Sequence, residues 1–548
     1  MRAGLSRLWH TLRHLRTGQL LYWVWRRGVQ PRFGFKPPGV GHVLPYAHGV
    51  SFCFLNQPHQ FATGELDWQP TGHSRLWVYN LHYFNCLRDP ARSADENAAL
   101  IRHWIAANPV GFGPGWEPYP LSLRLVNWCL WSLRQPGDVP QELLDSAAGQ
   151  AFWLMSHLEK HILANHYFEN LKALVFAGAV LPHCDAGQWL HSGQTGLRSE
   201  LREQFLDDGG HYERSPSYHC LLLDGLLDLL ELERLRPGVL DHELVESIGL
   251  CARRALELLA TIGLPGDRYP LFNDSAFDSA PRPSQLYARA KGLGLGWRTV
   301  SLGESIVCLP AFGVFGWRDP QAGDLRIKCG AVGPDYQPGH THCDMLSFEW
   351  YLDGDPVIVD TGVYEYEPGP MRHYVRSTAA HNTVSVGEAE QSEIWGEFRV
   401  ARRAKVMAAD MATTEAGARF EGEIRGFPGI RGGIVHRRVI ERTSDARVCT
   451  VTVEDRVQGR GRHMLASRLL FHPDIEVEAN SDGAWSVKRG EMLLARLRLP
   501  ADCSIEWQSA PYCPEFGVRR DARQLVMRRE AALPASISYI FELEALFS

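Results

Sequence analysis

No stretch of this sequence approaches the roughly 20 consecutive apolar residues that a membrane-spanning helix needs. It has no CxxC pair, and its 12 cysteines are scattered over 548 residues. That excludes a disulfide scaffold and makes reduced, partly buried thiols the expectation. It also lacks a charge excess of either sign. Lys and Arg total 57 against 63 Asp and Glu, a net charge of −6, so overall charge gives no support to nucleic-acid binding. Short repeats and low-complexity tracts are missing too. What is present is globular: 45% apolar and 22% charged residues, with 17 Trp, 17 Tyr and 23 Phe for large cores or for stacking on sugars. At ~100–200 residues per domain, the length predicts two or three domains.

The N-terminus, MRAGLSRLWHTLRHLRTGQLLYWVWRRGVQPRF, interleaves arginines with Leu, Trp and Tyr. A secretory signal has a basic start, then an uninterrupted apolar stretch. Here the arginines run through the apolar stretch, so no cleavable signal is expected, and a cytoplasmic or membrane-peripheral location is favoured over a secreted one. The pattern predicts an amphipathic helix packed on the body of the protein, with peripheral contact to an anionic membrane as the alternative.

From about 94 to 300, apolar residues recur at three-to-four spacing, as in ANHYFENLKALVFAGAVL and YHCLLLDGLLDLLELERLR, with turn-rich breaks such as DDGGHYERSPS between them. After about 306 the segments become short, β-branched and alternating: LRIKCGAV, MLSFEWYL, PVIVDTGVY, RVCTVTVED, SISYIFELE. Helices first and strands second predict two domains meeting near 300–310.

Three clusters carry chemistry. In the first, Asn165, His166 and Glu169 fall on one helix, where residues three apart share a face, so Glu169 is expected to orient His166. The second is the loop Asp207 to His219, with Tyr218 near the start of a helix whose dipole would favour a phenolate. The third is His340-Thr341-His342, read as a strand with both imidazoles on one face, followed by Asp360 and His381. His342, Asp360 and His381 form a two-His, one-carboxylate set suited to Zn2+ or a similar ion.

In this order, ANHYFENLKAL, DGGHYERSPSYH and HTHCDMLSFEWYLDGDPVIVDTGVYEY…RHYVRSTAAHNTVSVGE resemble the heparinase II/III family of polysaccharide lyases. WVYNLHYF, WEPYPLSLRLVNW and LFNDS add to the likeness, which runs from the start to about residue 400. The resemblance implies an incomplete (α/α) toroid followed by an antiparallel β-sandwich domain. It implies β-elimination beside a uronic acid in an acidic polysaccharide such as a glycosaminoglycan or alginate, leaving a 4,5-unsaturated sugar. By residue, it implies Asn165 and His166 on the uronate carboxyl and Glu169 in support. Tyr218 and His340 stand as the catalytic pair, and His342, Asp360 and His381 around an organising Zn2+ or other divalent cation. Trp116, Arg124, Arg372 and Tyr374 lie in the matching stretches as candidate substrate-binding residues. The implied division is a basic amphipathic segment over 1–75 packing on the toroid, the toroid over 76–305 and the sandwich over 306–548. Cys343 stands where the family usually has a small residue, most often Ala. Two other readings remain: a toroidal glycoside hydrolase using carboxylates among Asp207, Asp208, Glu213 and Asp274, and a glycan-binding or remodelling component of an exopolysaccharide system without lyase activity. A dense basic run, Arg399, Arg402, Arg403, Lys405, Arg425, Arg431, Arg437, Arg438 and Arg442, is either a solvated sheet face or an electrostatic guide for a uronate chain.

Overall fold

The computed structural model describes residues 2–28, 50–62, 65–298, 305–444 and 448–544. The helical half is a chain of antiparallel hairpins: Arg75–Tyr83, Ala94–Ala107, Pro118–Leu133, Gln141–Ser156, Ala164–Val180, Ala186–Gln204, Pro216–Leu235, His242–Ile262 and Pro283–Gly292. They curve into an incomplete toroid. Local chemistry sets their starts. Ser93 and Glu96 form a reciprocal capping box, and Ser215 accepts from the Tyr218 amide. Ala164–Val180 and Ala186–Gln204 pack closely because glycine sits at their contact: a Cβ on Gly193 would lie 2.8 Å from the Leu171 carbonyl oxygen. The core they enclose is rich in leucine and tryptophan, including Trp77, Trp104, Trp128 and Trp189.

Two large antiparallel sheets follow. One has eight strands, in the order Lys405–Thr414, Gly417–Gly426, Ile434–Ser444, Val448–Gln458, Ala535–Glu544, Met492–Arg498, Trp485–Arg489 and Glu476–Ala479. The other has nine. It runs Ser504–Tyr512, Arg520–Ala532, Arg462–Phe471, Asp355–Ile358, Phe348–Leu352, Gly323–Lys328, Val314–Asp319 and Ser305–Leu309, with Val384–Val386 also pairing Arg462–Phe471. Alternating burial shows which face is inside. Phe420, Ile440, Val453 and Tyr539 form one cross-strand row of the first sheet, all buried. Phe420 meets Phe315 of the other sheet at 5.4 Å, and Phe541 meets Trp350 at 4.9 Å, so the sheets close as a sandwich.

All twelve cysteines are free thiols. Among the described residues, no helix is long and apolar enough to cross a membrane. The N-terminal segment is two helices, Arg2–Leu12 and Thr17–Gly28, touching both halves. Arg16 bonds Glu203 and lies 3.9 Å over the Tyr336 ring, while Arg7 bonds Glu393 at 3.1 Å and Thr11 accepts from Trp395 at 3.1 Å.

The basic run of the sandwich is mostly neutralised. Arg438 is buried against its cross-strand partner Asp455 at 2.7 Å, Arg442 pairs with Asp319, Arg437 with Glu421, Arg402 with Glu393 and Arg403 with Asp335. Arg438, Arg442 and Arg403 are buried in their pairs, while Arg402 and Arg437 stay about a third exposed, so the run does not form one open guide for a polyanion.

Candidate active site

The site lies where the toroid meets the first strands of the sandwich. Its centre is Asp274, fully buried on the toroid side. His340 Nδ1 lies 2.9 Å from Oδ2 and His342 Nε2 lies 2.8 Å from Oδ1; Arg372 donates to both oxygens, at 2.5 and 2.8 Å. The Arg372 guanidinium holds the Asp274 carboxyl well below the usual carboxylate range, against the effect of burial. An ionised Asp274 accepts the Nδ1 proton of His340, which leaves the Nε2 lone pair of His340 free to take a proton.

His340 and His342 are not on a strand. The chain is irregular from Cys329 to Ser347, held by side chains: Asn273 Oδ1 accepts from the His342 amide, Thr341 Oγ1 donates to the Val332 carbonyl, and Arg376 donates to the Thr341 carbonyl. One carboxylate with an imidazole on each oxygen, and not sheet geometry, brings the two histidines together.

Tyr218 stacks on His340, with ring centroids 3.8 Å apart and planes inclined by 29°. Its hydroxyl meets Tyr366 Oη at 3.3 Å. Tyr218 is in the first turn of Pro216–Leu235 as expected, but burial pushes its pKa well above the ordinary tyrosine value, with the nearby Tyr366 adding to the rise. Desolvation outweighs the helix dipole, so the group rests as a neutral phenol.

Asn165 and His166 open the helix Ala164–Val180, directly after two residues in the left-handed region, Leu163 at φ 64° and Ala164 at φ 55°. Arg214 and Asn273, neighbours of Glu213 and Asp274, are left-handed as well. Such strain gathers where side chains are held for function. Asn165 donates Nδ2 to both oxygens of Glu213, at 3.0 and 3.1 Å. Glu213 is buried, which raises its pKa, and it lies close enough to His340, His166 and Tyr218 to act on each electrostatically.

His166 takes its partner from outside its own helix. Its Nδ1 lies 3.1 Å from Glu159, and Tyr119 covers its ring at 4.4 Å. The Glu159 carboxylate raises the His166 pKa against partial desolvation. Glu169, expected to do this, turns away and binds Lys172 at 2.8 Å in a buried ion pair. Three-residue spacing put Glu169 on the right helix but could not show that Lys172, three residues further on, takes it.

Three of the proposed substrate-binding residues are structural. Trp116 is buried and donates to the Asn108 carbonyl. Arg124 is fully buried, bonded to Gln150 and to the His82 and Gly115 carbonyls and stacked on Trp104 at 3.9 Å. Arg372 is committed to Asp274. Tyr374 is half-buried, its pKa pushed up to about 12 by burial, and its carbonyl accepts from Ser377. Sequence reasoning missed Glu159 and Tyr366. Glu213 and Asp274 were visible in DGGHYERSPSYH and LFNDS, but only as spare carboxylates.

His342, Asp360 and His381 are all buried, and the two imidazole rings stand 5.4 Å apart. His342 Nδ1 and His381 Nε2 have no hydrogen-bond partner, while Asp360 Oδ2 lies 2.8 Å from His381 Nδ1. Two orphaned imidazole nitrogens suit a borderline divalent cation in donor chemistry, but Asp360, bonded to the opposite nitrogen of His381, orients that ring and does not face the same point, which departs from the three-ligand set expected from the sequence. Among the described residues, the three donors whose atoms gather within 4.8 Å are instead the largely exposed His183, Cys184 and Asp185.

Comparison with known proteins agrees with this arrangement. The family models for the heparinase II/III N-terminus and for the heparinase II/III-like C-terminal region match residues 133–290 and 303–540. A heparin-sulfate lyase of Pedobacter heparinus is 25% identical over 315 residues, covering 52% of this chain and 46% of that protein. Another, from Bacteroides thetaiotaomicron, is 22% identical over 271 residues, covering 43% and 38%. The chain thus spans about half, or less, of the length of these curated relatives. Among solved structures, a heparinase III superposes with a TM-score of 0.66 at 16% identity, over 88% of this chain and 80% of that one. A heparan sulfate lyase from Pedobacter heparinus, solved as a mutant, gives 0.58 at 18% identity over 97% and 88%. These likenesses show the same fold, and with both family models matching in order across the toroid and the sandwich, the chain belongs to the heparinase II/III-like family.

Proposed function

We propose that this protein is a polysaccharide lyase that cleaves a uronic-acid-containing polymer by β-elimination. One observation carries the reading: Tyr218 stacks on a histidine whose Nδ1 is fixed by a buried carboxylate. That places a neutral proton donor beside a free imidazole lone pair. The C5 proton of a uronate is a poor acid, because the carbanion forms next to a carboxylate. His166, whose protonated form Glu159 favours, and Asn165 stabilise the negative charge there. Glu213 holds the Asn165 amide in place by accepting from its Nδ2 on both oxygens. His340 Nε2 removes H5, the electron pair forms the C4–C5 double bond, and O4 leaves with the proton of Tyr218. When H5 and O4 lie on one face of the ring, Tyr218 can serve in both steps, provided its proton is first lost.

A divalent cation at His342 and His381 belongs to the same reading. When bound, it supplies fixed positive charge and a rigid link between the His340 loop and the strand edge. The ligands in this chain would be the free His342 Nδ1 and His381 Nε2, with Asp360 on the other nitrogen of His381 orienting that ring.

The hydrolase reading loses support. Asp274 is spent on Arg372 and two histidines, and Glu213 on Asn165, so neither is an open carboxylate facing another across a cleft. The test is incubation with a panel of heparan, chondroitin, hyaluronan and alginate, followed by ultraviolet absorbance. A lyase yields the absorbing 4,5-unsaturated uronate. New reducing ends without absorbance would establish hydrolysis, and no change on any uronate polymer would leave only glycan binding.

A further inference from the structure

Seventeen large hydrophobic side chains are exposed among the described residues, and eight of them sit on the two N-terminal helices: Leu5, Leu8, Trp9, Leu12, Leu20, Leu21, Trp23 and Val24. Four are more than 60% exposed, Leu5, Trp9, Leu21 and Val24. On Arg2–Leu12, positions 5, 8, 9 and 12 follow helical spacing and form one stripe. The same helices are held to the body by other residues. Gln19 is buried against the His161 carbonyl, Tyr22 stacks on His161, and Arg7, Thr11 and Arg16 bond the sandwich and toroid. One side is therefore docked and the other presents apolar surface to solvent. A contiguous exposed apolar patch on a folded protein marks a contact surface.

Charge selects the occupant. Residues 1–28 contain Arg2, Arg7, Arg13, Arg16, Arg26 and Arg27, and no acidic residue precedes Glu65; Arg7 and Arg16 are taken by Glu393 and Glu203 of the body, which leaves four arginines with no acid in their own segment. Leu and Trp interleaved with arginine, without an acid, suit the boundary between acyl chains and anionic headgroups. Aliphatic side chains enter the hydrocarbon, Trp sits at the interface and guanidinium groups meet phosphate. We propose that the exposed face of these two helices docks the enzyme on an anionic lipid bilayer. Each helix lies in the membrane plane and spans nothing. Because the helices bridge toroid and sandwich, the active site would be carried at the membrane surface, close to polymer emerging from or lying on it. The surface is independent of the lyase reading, since none of its residues belongs to the site.

The experiment is co-sedimentation of the full chain with vesicles, either phosphatidylglycerol-containing or pure phosphatidylcholine, at low and high salt. Binding to the anionic vesicles is expected, with little to the neutral ones, and weakening as salt rises. The double variant Trp9→Glu/Leu21→Glu should lower partitioning by roughly tenfold or more, since each apolar side chain withdrawn from hydrocarbon forfeits about that factor. Its melting temperature and its activity on soluble polymer should be unchanged. Arg13→Glu, a milder change, should weaken binding to anionic vesicles only. Equal partitioning of wild type and double variant would overturn the proposal. So would a concentration-dependent dimer abolished by the double variant without vesicle binding, which would assign the face to a second copy. A raised KM for uronate polymer in the double variant, with vesicle binding intact, would assign it to substrate.

Discussion

In the proposed mechanism, Tyr218 is the residue on which elimination turns. Tyr218→Phe removes one hydroxyl from a side chain that otherwise keeps its stack on His340. Turnover should fall by roughly 10²–10⁴-fold with polymer binding nearly intact. Activity within a few-fold of wild type would remove Tyr218 from the mechanism. Glu159 gives a prediction of a different kind, in pH. His166 has its pKa raised by Glu159, although 30% of its side chain stays exposed and solvent screens part of the attraction. A group needed as imidazolium supports activity below its pKa and loses it as pH rises through that value. Glu159→Gln removes the anion, so the alkaline limb of kcat/KM should move to lower pH. An unmoved limb in that variant would show that His166 works without its charge. These residues were unequally legible in the sequence. Asn165, His166, Tyr218 and His340 stand in distinctive strings. Glu159 lies in ordinary helix-end sequence, and Tyr366 reaches Tyr218 across 148 positions, a contact no local pattern encodes.

Among the elements, the helices of the toroid are tied by a buried cluster of charges. Asp228 on Pro216–Leu235 accepts from Arg88 at 2.9 and 3.0 Å, from Lys172 at 3.2 Å and from Arg289 at 2.9 Å, so one carboxylate joins four segments. Arg88 and its fellow cations hold the Asp228 carboxyl far below its usual range despite burial. Asp228→Asn strands these cations and should cost about 3–5 kcal/mol in urea unfolding at neutral pH. The sign with pH follows from the lowered value. The carboxylate contributes its full stability above the unfolded pKa, ~3.9, and loses it as pH falls further, so the variant should show a flatter loss of stability in acid. An undiminished unfolding midpoint would mean the cluster is spare. The His340 loop gives a second prediction at this scale. His381→Ala should remove about one bound divalent ion per chain, measured by elemental emission, and lower the melting temperature. Full occupancy in the variant would refute the assigned ligands. Helix and strand segments were readable from periodicity and β-branched runs. The His340–His342 segment was not, because its shape comes from Asn273, Arg376 and Asp274, residues from elsewhere in the chain.

At the scale of the whole molecule, one joint between the toroid and the sandwich is also the proposed catalytic apparatus. Asp274 comes from the helical half, while His340, His342 and Arg372 come from the strand half. Separating the halves would expose the Asp274 carboxylate and part Arg372 from its counter-ion. Helices before strands predicted two domains, but a pattern of periodicities cannot say which residues bridge them. LFNDS signalled a turn, not a hub. Asp274→Asn tests whether joint and catalysis are one. The amide keeps the size of the carboxylate but cannot accept on both oxygens, so Arg372 loses its ion pair and His340 loses the acceptor that fixes its proton on Nδ1. Stability should fall by about 3–5 kcal/mol. Turnover should fall by roughly 10²–10⁴-fold, because the Nε2 lone pair of His340 is no longer assured. The paired measurement is chemical unfolding and ultraviolet-detected turnover at a temperature where the variant stays folded. Loss of stability with turnover preserved would separate the two roles and return Asp274 to architecture alone.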